Sequence, residues 1–319
     1  MNIILTCDNS YCQHAAALIA SICHHNQINT FYIVSDYISK ENILKLQGLC
    51  TNNGAQLCLL RVDRNLMHTF PIGKGTANSY VSLATYYRLF IPELLPNNID
   101  KIIYIDCDVI VNGSLEGLWN TQVNKDTCIV ALEEMKNIES EAVKRLGYKN
   151  NTYFNAGVLL LFVDRLRKMN FTSKALQYIN QHSNIIKFHD QDVLNALLYN
   201  YKEFMPLKYN VMDTFLREDI ILPERYRNEN EDLYNPIVIH YTGPIKPWFV
   251  ECNHPYKELY YHYLALTPWQ NYIPVFKYNT FKQKSFYYVK SICKQILSIT
   301  GLKKYSFRKD LTNSKELLH

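Results

Sequence analysis

Two rhythms of apolar and polar positions alternate along this chain of 319 residues. Short continuous apolar runs at 2–7, 31–35, 55–62, 102–105, 127–132, 158–163 and 236–239 fit strands, those nearest the middle buried on both faces. Between them, residues 11–25, 40–50, 82–90, 164–181 and the stretch after 192 carry helical patterns, the first announced by the turn and cap Asp8-Asn9-Ser10. Strand, helix and strand in turn predict an α/β fold, with a mostly parallel sheet covered by helices on both faces. Residues 63–80 hold Pro71, Gly73 and Gly75 without a clear period, and read as a long loop of the kind that forms lids or binding loops.

The run at 101–111, KIIYIDCDVIV, is where chemistry enters the pattern. Its apolar part stops at Asp106, and because side chains alternate along extended chain, Asp106 and Asp108 emerge on the same side of Cys107. Two carboxylates that close repel unless one takes a proton or a cation sits between them. A position at a strand's carboxyl end favours the cation, since ligands of open α/β sheets collect there. The plainer reading is a solvated turn leading into Asn112-Gly113.

Other polar clusters stand at comparable places. Asp8 follows the first strand, where capping explains it. Arg88 sits among Tyr86, Tyr87 and Phe90, either as a solvated charge or as a fork for phosphate or carboxylate. Small residues at 155–157, Asn155, Ala156 and Gly157, precede an apolar run and permit close approach of a ligand or another backbone. In His189-Asp190-Gln191-Asp192, a capping role at Asp190 accounts for one residue of four. Finally, His240 ends a short strand and leads into Gly243, Lys246 and Trp248, offering an imidazole ligand, room for a phosphate and a positive charge.

Composition narrows the setting. With 48% hydrophobic and 20% charged residues, the chain has the make-up of an ordered globular protein of one large or two smaller domains. Nine cysteines form no Cys-x-x-Cys pair and leave one over, which argues for a reducing compartment over a zinc ribbon or a complete set of disulfides. Met1 leads into NIILTC without a basic stretch, so no secretory signal is expected. No run reaches the roughly 20 apolar residues of a membrane-spanning helix. The net charge of +5 hides an asymmetry: residues 277–319 hold ten Lys or Arg against two acids, a surplus of eight, which leaves the first 276 residues at minus three.

Six motifs in order, NIILTCDNSY from 2, TYYRL from 85, IIYIDCDVIV from 102, YFNAGVLL from 153, HDQDVLN from 189 and HYTGPIKPW from 240, resemble the retaining nucleotide-sugar glycosyltransferases of family eight. The likeness is to bacterial lipooligosaccharide α-galactosyltransferases and lipopolysaccharide glucosyl- and galactosyltransferases in particular. It spans residues 1–265 and implies a single Rossmann-like, nucleotide-sugar-binding domain of the GT-A type there, followed by a basic, aromatic, partly helical tail at 266–319. It further implies that Asp106, Asp108 and His240 hold Mn2+, with Mg2+ as the alternative, and that imidazole favours the softer ion. Asp8 and Tyr11 would meet the uracil and ribose, over a floor of Thr6 and Cys7. Arg88, Asn155 and Asp190 would hold the sugar, with Cys107 and Ala156 beside them, and Gly243 and Lys246 would grip the diphosphate. Gln191 would lie beneath the anomeric carbon.

The reaction so implied moves galactose or glucose from UDP-galactose or UDP-glucose to a lipid-linked surface glycan, with retention at the anomeric carbon. Gln191 is an amide and a poor nucleophile, so front-face substitution is expected, with Asp190 or Asp192 as nucleophile in the competing double displacement. Cys107 and Thr6 depart from the residues usual in relatives without removing a charge. Residues 63–80 and 213–235 match poorly and are expected to face the acceptor. In the tail, Phe286, Val289, Ile292, Cys293, Ile296 and Leu297 share a helical face beside Lys290 and Lys294, with Tyr287, Tyr288, Lys303, Lys304, Tyr305, Phe307, Arg308 and Lys309 adding aromatic and basic groups. These suit an anionic membrane surface, which places the protein in the cytoplasm, peripheral on the cytoplasmic face of the inner membrane. Packing on the enzyme's own body is the other reading of that helix, and no nucleic-acid motif is present. Two other functions compete: a hydrolase of UDP-sugars, and a carbohydrate-binding protein without catalysis.

Overall fold

A computed structural model of the chain describes residues 1–72, 82–148 and 152–278, with isolated positions beyond 278. Its strands are β1 (Asn2–Thr6), β2 (Thr30–Ser35), β3 (Gln56–Arg61), β4 (Lys101–Ile105), β5 (Val109–Val111), β6 (Ile129–Glu133), β7 (Phe154–Phe162), β8 (Lys202–Phe204), β9 (Val211–Met212) and β10 (Val238–His240). Seven of them form one sheet in the order β3-β2-β1-β4-β7-β6-β8. It is mostly parallel, with β7 alone reversed against both β4 and β6.

Alternation along the strands divides the core into two layers. Ile3, Leu5, Ile103 and Ile105 face one apolar cluster with the helix Cys12–His25, while Ile4, Ile102 and Tyr104 face the other with helices Phe171–His182 and His189–Leu198. All seven side chains are fully buried, and each such burial stabilises by about 1.5–3 kcal/mol for an isoleucine or leucine.

A second sheet, ordered β5-β10-β9, starts one residue after Asp108. Antiparallel pairing sets His240 opposite Val109, and the Tyr241 amide donates to the Asp108 carbonyl at 3.0 Å. This register brings a histidine 132 positions downstream beside the aspartate pair.

Several elements differ from the pattern's expectation. Residues 82–90 wind as a 3-10 helix, Leu83–Phe90, capped by Ser82. The expected helix at 164–181 is two, Val163–Lys168 and Phe171–His182, broken where Asn170 takes a φ of 54°. Residues 154–157 lie inside β7 rather than before it. Of the expected loop at 63–80, Arg64–Met67 form a short 3-10 turn, and residues 73–80 lie outside the described residues.

Beyond the helix Lys257–Leu264 the chain keeps returning to the body. The Val250 amide donates to the Val275 carbonyl at 3.0 Å, Arg308 donates through its amide to Leu216 at 2.9 Å, and Leu311 is buried in the core. Between these anchors Phe286, Val289, Ile292 and Ile296 are each more than half exposed. Leu297, Lys290, Lys294, Lys303, Lys304, Tyr305 and Lys309 of the expected tail lie outside the described residues. Among the described residues no helix is long and apolar enough to cross a membrane. All nine cysteines are free.

Candidate active site

Cys107 turns inward and donates its thiol to the Thr6 carbonyl at 3.2 Å, so the carboxylates on either side of it emerge together at the end of β4. One ligand atom from each of Asp106, Asp108 and His240 lies within 4.8 Å of the others. The imidazole is set for coordination. His240 Nδ1 lies 2.9 Å from Asn210 Oδ1; an amide oxygen only accepts, so Nδ1 carries the hydrogen and Nε2, 3.4 Å from Asp108 Oδ1, presents a lone pair. Gly157 makes room for the ring, since a Cβ there would stand 2.0 Å from His240 Cε1. Two carboxylates and a neutral imidazole nitrogen are a donor set that suits a divalent ion of the Mn2+ or Mg2+ kind.

Two buried cations balance the pair's charge. Arg88 reaches Asp106 Oδ1 at 2.7 Å, and Lys246 reaches Asp108 Oδ2 at 2.6 Å. Burial pushes the Asp108 carboxyl up, but the Lys246 ammonium beside it overrides burial and holds it well below the usual range. At Asp106 burial prevails over Arg88, and its carboxyl is raised.

Arg88 also ties the paired aspartates to the next group, because its Nε lies 2.9 Å from Asp190 Oδ2. Asp190 accepts from Thr85 as well, so it makes no helix cap. Beside it, Gln191 Oε1 accepts from the Ala156 amide at 2.9 Å and from Asn155 Nδ2 at 3.4 Å, which fixes the amide's orientation with its oxygen turned to the protein. Asn155 donates its Nδ2 to Glu134 at 3.2 Å and accepts at Oδ1 from Asn210 Nδ2 at 3.0 Å, so the floor is one continuous amide network. Glu134 escaped the sequence reading, although two acids ending an apolar strand were a visible signal. Burial raises its carboxyl above the ordinary range.

These groups line a cavity of about 450 Å3. Of the residues the sequence singled out, Arg88, Asp106, Asp108, Asn155, Ala156, Asp190, Gln191, His240, Gly243 and Lys246 lie in its wall. Gly243 does so for a different reason than expected: a Cβ there would meet Asp213 Oδ2 at 2.4 Å, so the glycine lets the loop after β10 dock on that carboxylate. Thr6, Cys7, Asp8, Tyr11 and Cys107 lie outside the wall, at and after the end of β1 and between the paired aspartates. Asp8 caps the turn Asn9–Tyr11, its Oδ1 accepting from the Ser10 and Tyr11 amides at 2.9 and 3.1 Å. Tyr11 is 38% exposed and edge-on to Trp248.

Asp192 is the clear departure. It is fully buried, bound by both Arg145 guanidinium nitrogens at 2.7 and 3.1 Å, and accepts from Tyr153 and the amides of Lys187 and Phe188. Every lone pair is engaged away from the cavity, which removes it as a nucleophile.

The family model described as glycosyl transferase family 8 matches residues 2–252. The chain belongs to that family. Among curated relatives, general stress protein A of Bacillus subtilis is 28% identical over 279 residues, covering 84% of this chain and 94% of its own. The lipopolysaccharide 1,2-glucosyltransferase of Escherichia coli K12 is 29% identical over 277 residues, covering 85% and 79%. A crystal structure of galactosyltransferase LgtC in complex with donor and acceptor sugar analogues superposes with a TM-score of 0.75 at 24% identity, over 84% of this chain and 96% of that one. The GT-A-like architecture of this family 8 glycosyltransferase is thus shared with LgtC, and the cavity opens where such sheets bind ligands, at the carboxyl end of β4.

Proposed function

We propose that this family 8 glycosyltransferase moves galactose or glucose from a UDP-sugar to a lipopolysaccharide-type, lipid-linked glycan, with Mn2+ bound and the anomeric configuration retained. One observation carries the reading: the Asp106, Asp108 and His240 ligand atoms, the Arg88 to Asp190 pair and the Gln191 amide converge in a single cavity from four separate stretches of chain. The relatives that transfer glucose or galactose to lipopolysaccharide support the choice of sugar and acceptor.

Asp106, Asp108 and His240 would hold the cation, which when bound supplies positive charge to the diphosphate oxygens as the sugar leaves. Lys246, already at Asp108, stands close enough to exchange its carboxylate for a phosphate oxygen. Arg88 and Asp190 hold the hexose, and Thr6, Cys7, Asp8 and Tyr11 extend the groove towards the uracil and ribose. Gln191 Oε1 is committed to the Ala156 amide, so no side-chain oxygen of this residue is free to attack. We infer front-face substitution, the acceptor hydroxyl attacking from the side the UDP leaves and a departing phosphate oxygen taking its proton. Calorimetry tests the donor half: UDP binding should weaken at least about tenfold when Mn2+ is replaced by a chelator. Equal affinity in both would overturn it. Turnover of UDP-galactose and UDP-glucose with truncated lipopolysaccharide cores tests the acceptor half, and equal release of free sugar without acceptor would overturn that.

The exposed apolar side chains at 286, 289, 292 and 296, within a segment of surplus positive charge, support attachment to the cytoplasmic face of the inner membrane. Deleting the whole tail would also remove buried Leu311, so the informative variant is the fourfold serine substitution of Phe286, Val289, Ile292 and Ile296. Unchanged binding of that variant to anionic vesicles would overturn the attachment.

A further inference from the structure

Among the described residues three Lys or Arg side chains stand in the cavity wall, and two of them are paired with acids: Arg88 with Asp106 and Asp190, Lys246 with Asp108. The third is Arg217, on the segment after β9. Among the described residues its guanidinium makes no ion pair and no hydrogen bond. Arg217 is half-buried, and none of its nitrogens is shut away without a partner as Nε of Arg308 is, so they stay within reach of solvent. The contact it does make is with an aromatic face: its Cζ lies 5.6 Å from the ring centre of Phe307, 90 positions downstream. That ring is held edge-on to His254 at 5.4 Å. The chain around it is tied to the same segment, for Phe307 pairs with Arg217 in an antiparallel bridge, the Arg308 amide donates to the Leu216 carbonyl at 2.9 Å, and Leu311 is buried in the core. The C-terminal stretch thus braces one arginine of the wall without neutralising it. Cover for Phe307 needs no charge, and a cation that served to balance the wall's acids would sit at a carboxylate. A guanidinium over a ring keeps its fork of donors for something else.

We propose that Arg217 binds an oxyanion, phosphate or carboxylate, on the acceptor glycan and so makes the enzyme prefer an acidic acceptor. The inference rests on the glycosyltransferase reading above and adds the chemical class of its acceptor. In that reading the donor's charge already has its partners, since the bound cation and Lys246 meet the diphosphate while Arg88 and Asp190 hold the hexose. Every one of those donor-side residues comes from within one of the six family motifs, whereas Arg217 comes from 213–235, outside all of them. It also reaches the wall from another side. Asp213 accepts from Thr242, and Gly243 docks on the same carboxylate, so the segment that carries Arg217 lies along the loop that follows β10. The fork fits an oxyanion better than it fits a neutral sugar: two parallel N–H···O bonds reach one phosphate or carboxylate, and charge makes each stronger than a bond to a hydroxyl.

The test uses the whole protein with Mn2+ and UDP-sugar, and three forms of one truncated lipopolysaccharide core: intact, stripped of phosphate by phosphatase, and with its carboxyls reduced to alcohols. Wild type is expected to show a KM at least about tenfold higher for one altered core than for the intact one, and which one it is names the oxyanion. In Arg217→Gln the KM for the intact core should rise to that level, with the Kd for UDP within about twofold of wild type. Arg217→Lys keeps the charge without the fork, should recover part of the preference, and gives the comparison should the glutamine variant fail to fold. Phe307→Leu, which keeps the packing without the aromatic face, should lose part of it. Wild type indifferent to both alterations overturns the proposal, as does an Arg217→Gln variant that keeps the wild-type preference or raises KM for all three cores alike. A tenfold loss of UDP affinity in that variant also overturns it, by assigning Arg217 to the diphosphate. Should wild type bind UDP but transfer to no core, glucose 6-phosphate, glucuronate and glucose are titrated into the UDP-bound protein, and equal affinity for all three overturns the proposal. Failure to bind UDP overturns the donor reading itself.

Discussion

Asn210 holds His240 by accepting from its Nδ1 at 2.9 Å, and passes its own Nδ2 to Asn155 Oδ1 at 3.0 Å. The amide decides which imidazole nitrogen is bare, so under the proposed function it would govern coordination without touching the cation. Asn210→Ala is expected to weaken Mn2+ binding by about 10–100-fold, the usual effect of removing such a support. Titration of Mn2+ in the presence of UDP measures this, and unchanged affinity in a folded variant would show that the ring is held by other means. Because Asn210 is fully buried, the variant should also lose about 1–3 kcal/mol of stability.

Gly157 supports the same ring by having no side chain. In Gly157→Ala the new methyl would stand 2.0 Å from His240 Cε1, closer than any real contact, within a strand whose backbone is pinned on both sides. The imidazole must swing away, so cation binding and transfer should fall together while the sheet survives with a loss of about 1–3 kcal/mol. Wild-type Mn2+ affinity in Gly157→Ala would mean that the ring is not a ligand.

How much of this was readable beforehand depends on the range of the interaction. The Asp106 and Asp108 pair was legible because strand alternation alone puts the two carboxylates on one side, and the apolar runs that became β1, β2, β4 and β7 were legible for the same reason. The family motifs brought in His240, but not the reason its Nε2 is bare, because Asn210 lies 30 positions away in a segment without a pattern. Glu134 was visible and passed over. The break at Asn170 and the helix start at His189 come from left-handed backbone, φ 54° and 49°, at residues that are not glycine, which no periodicity signals.

Helical geometry separates Asp190 from Asp192. Two positions apart on a helix point roughly 200° apart, so both cannot face one cavity. Asp190 meets Arg88 in the wall, and Asp192 meets Arg145 behind it. Asp192→Asn should therefore destabilise by about 1–3 kcal/mol, since it removes the buried carboxylate and leaves the Arg145 guanidinium with Glu141 and the Ile185 carbonyl, and should leave transfer by the protein that remains folded largely intact. Asp190→Asn should do the reverse, abolishing most transfer with a smaller shift in the denaturation midpoint. A glycosyl adduct trapped on Asp192 would contradict this division, and one on Asp190 would replace front-face substitution by double displacement.

His14 links acid stability to the loop that carries Lys246. Its ring is buried, stacked on Trp248 at 3.5 Å, with Nδ1 2.7 Å from the Tyr260 hydroxyl. Burial lowers its pKa from 6.5 to about 3, and the same cause lowers His254 to about 4. A histidine that protonates more readily unfolded than folded contributes its full stability above pH 6.5, and that contribution is lost as pH falls from 6.5 towards the folded value. For one such ring the loss is about 1.4 kcal/mol per pH unit, or about 2 kcal/mol at pH 5. Urea denaturation at pH 7.5, 6 and 5 should show the midpoint falling with acid. His14→Gln, which can still bond Tyr260 but does not titrate, should lose about half of that dependence and leave the part due to His254. If its midpoint falls as steeply as that of wild type, His14 is not the group that titrates, and Trp248 is then held against acid by something other than a neutral ring beneath it.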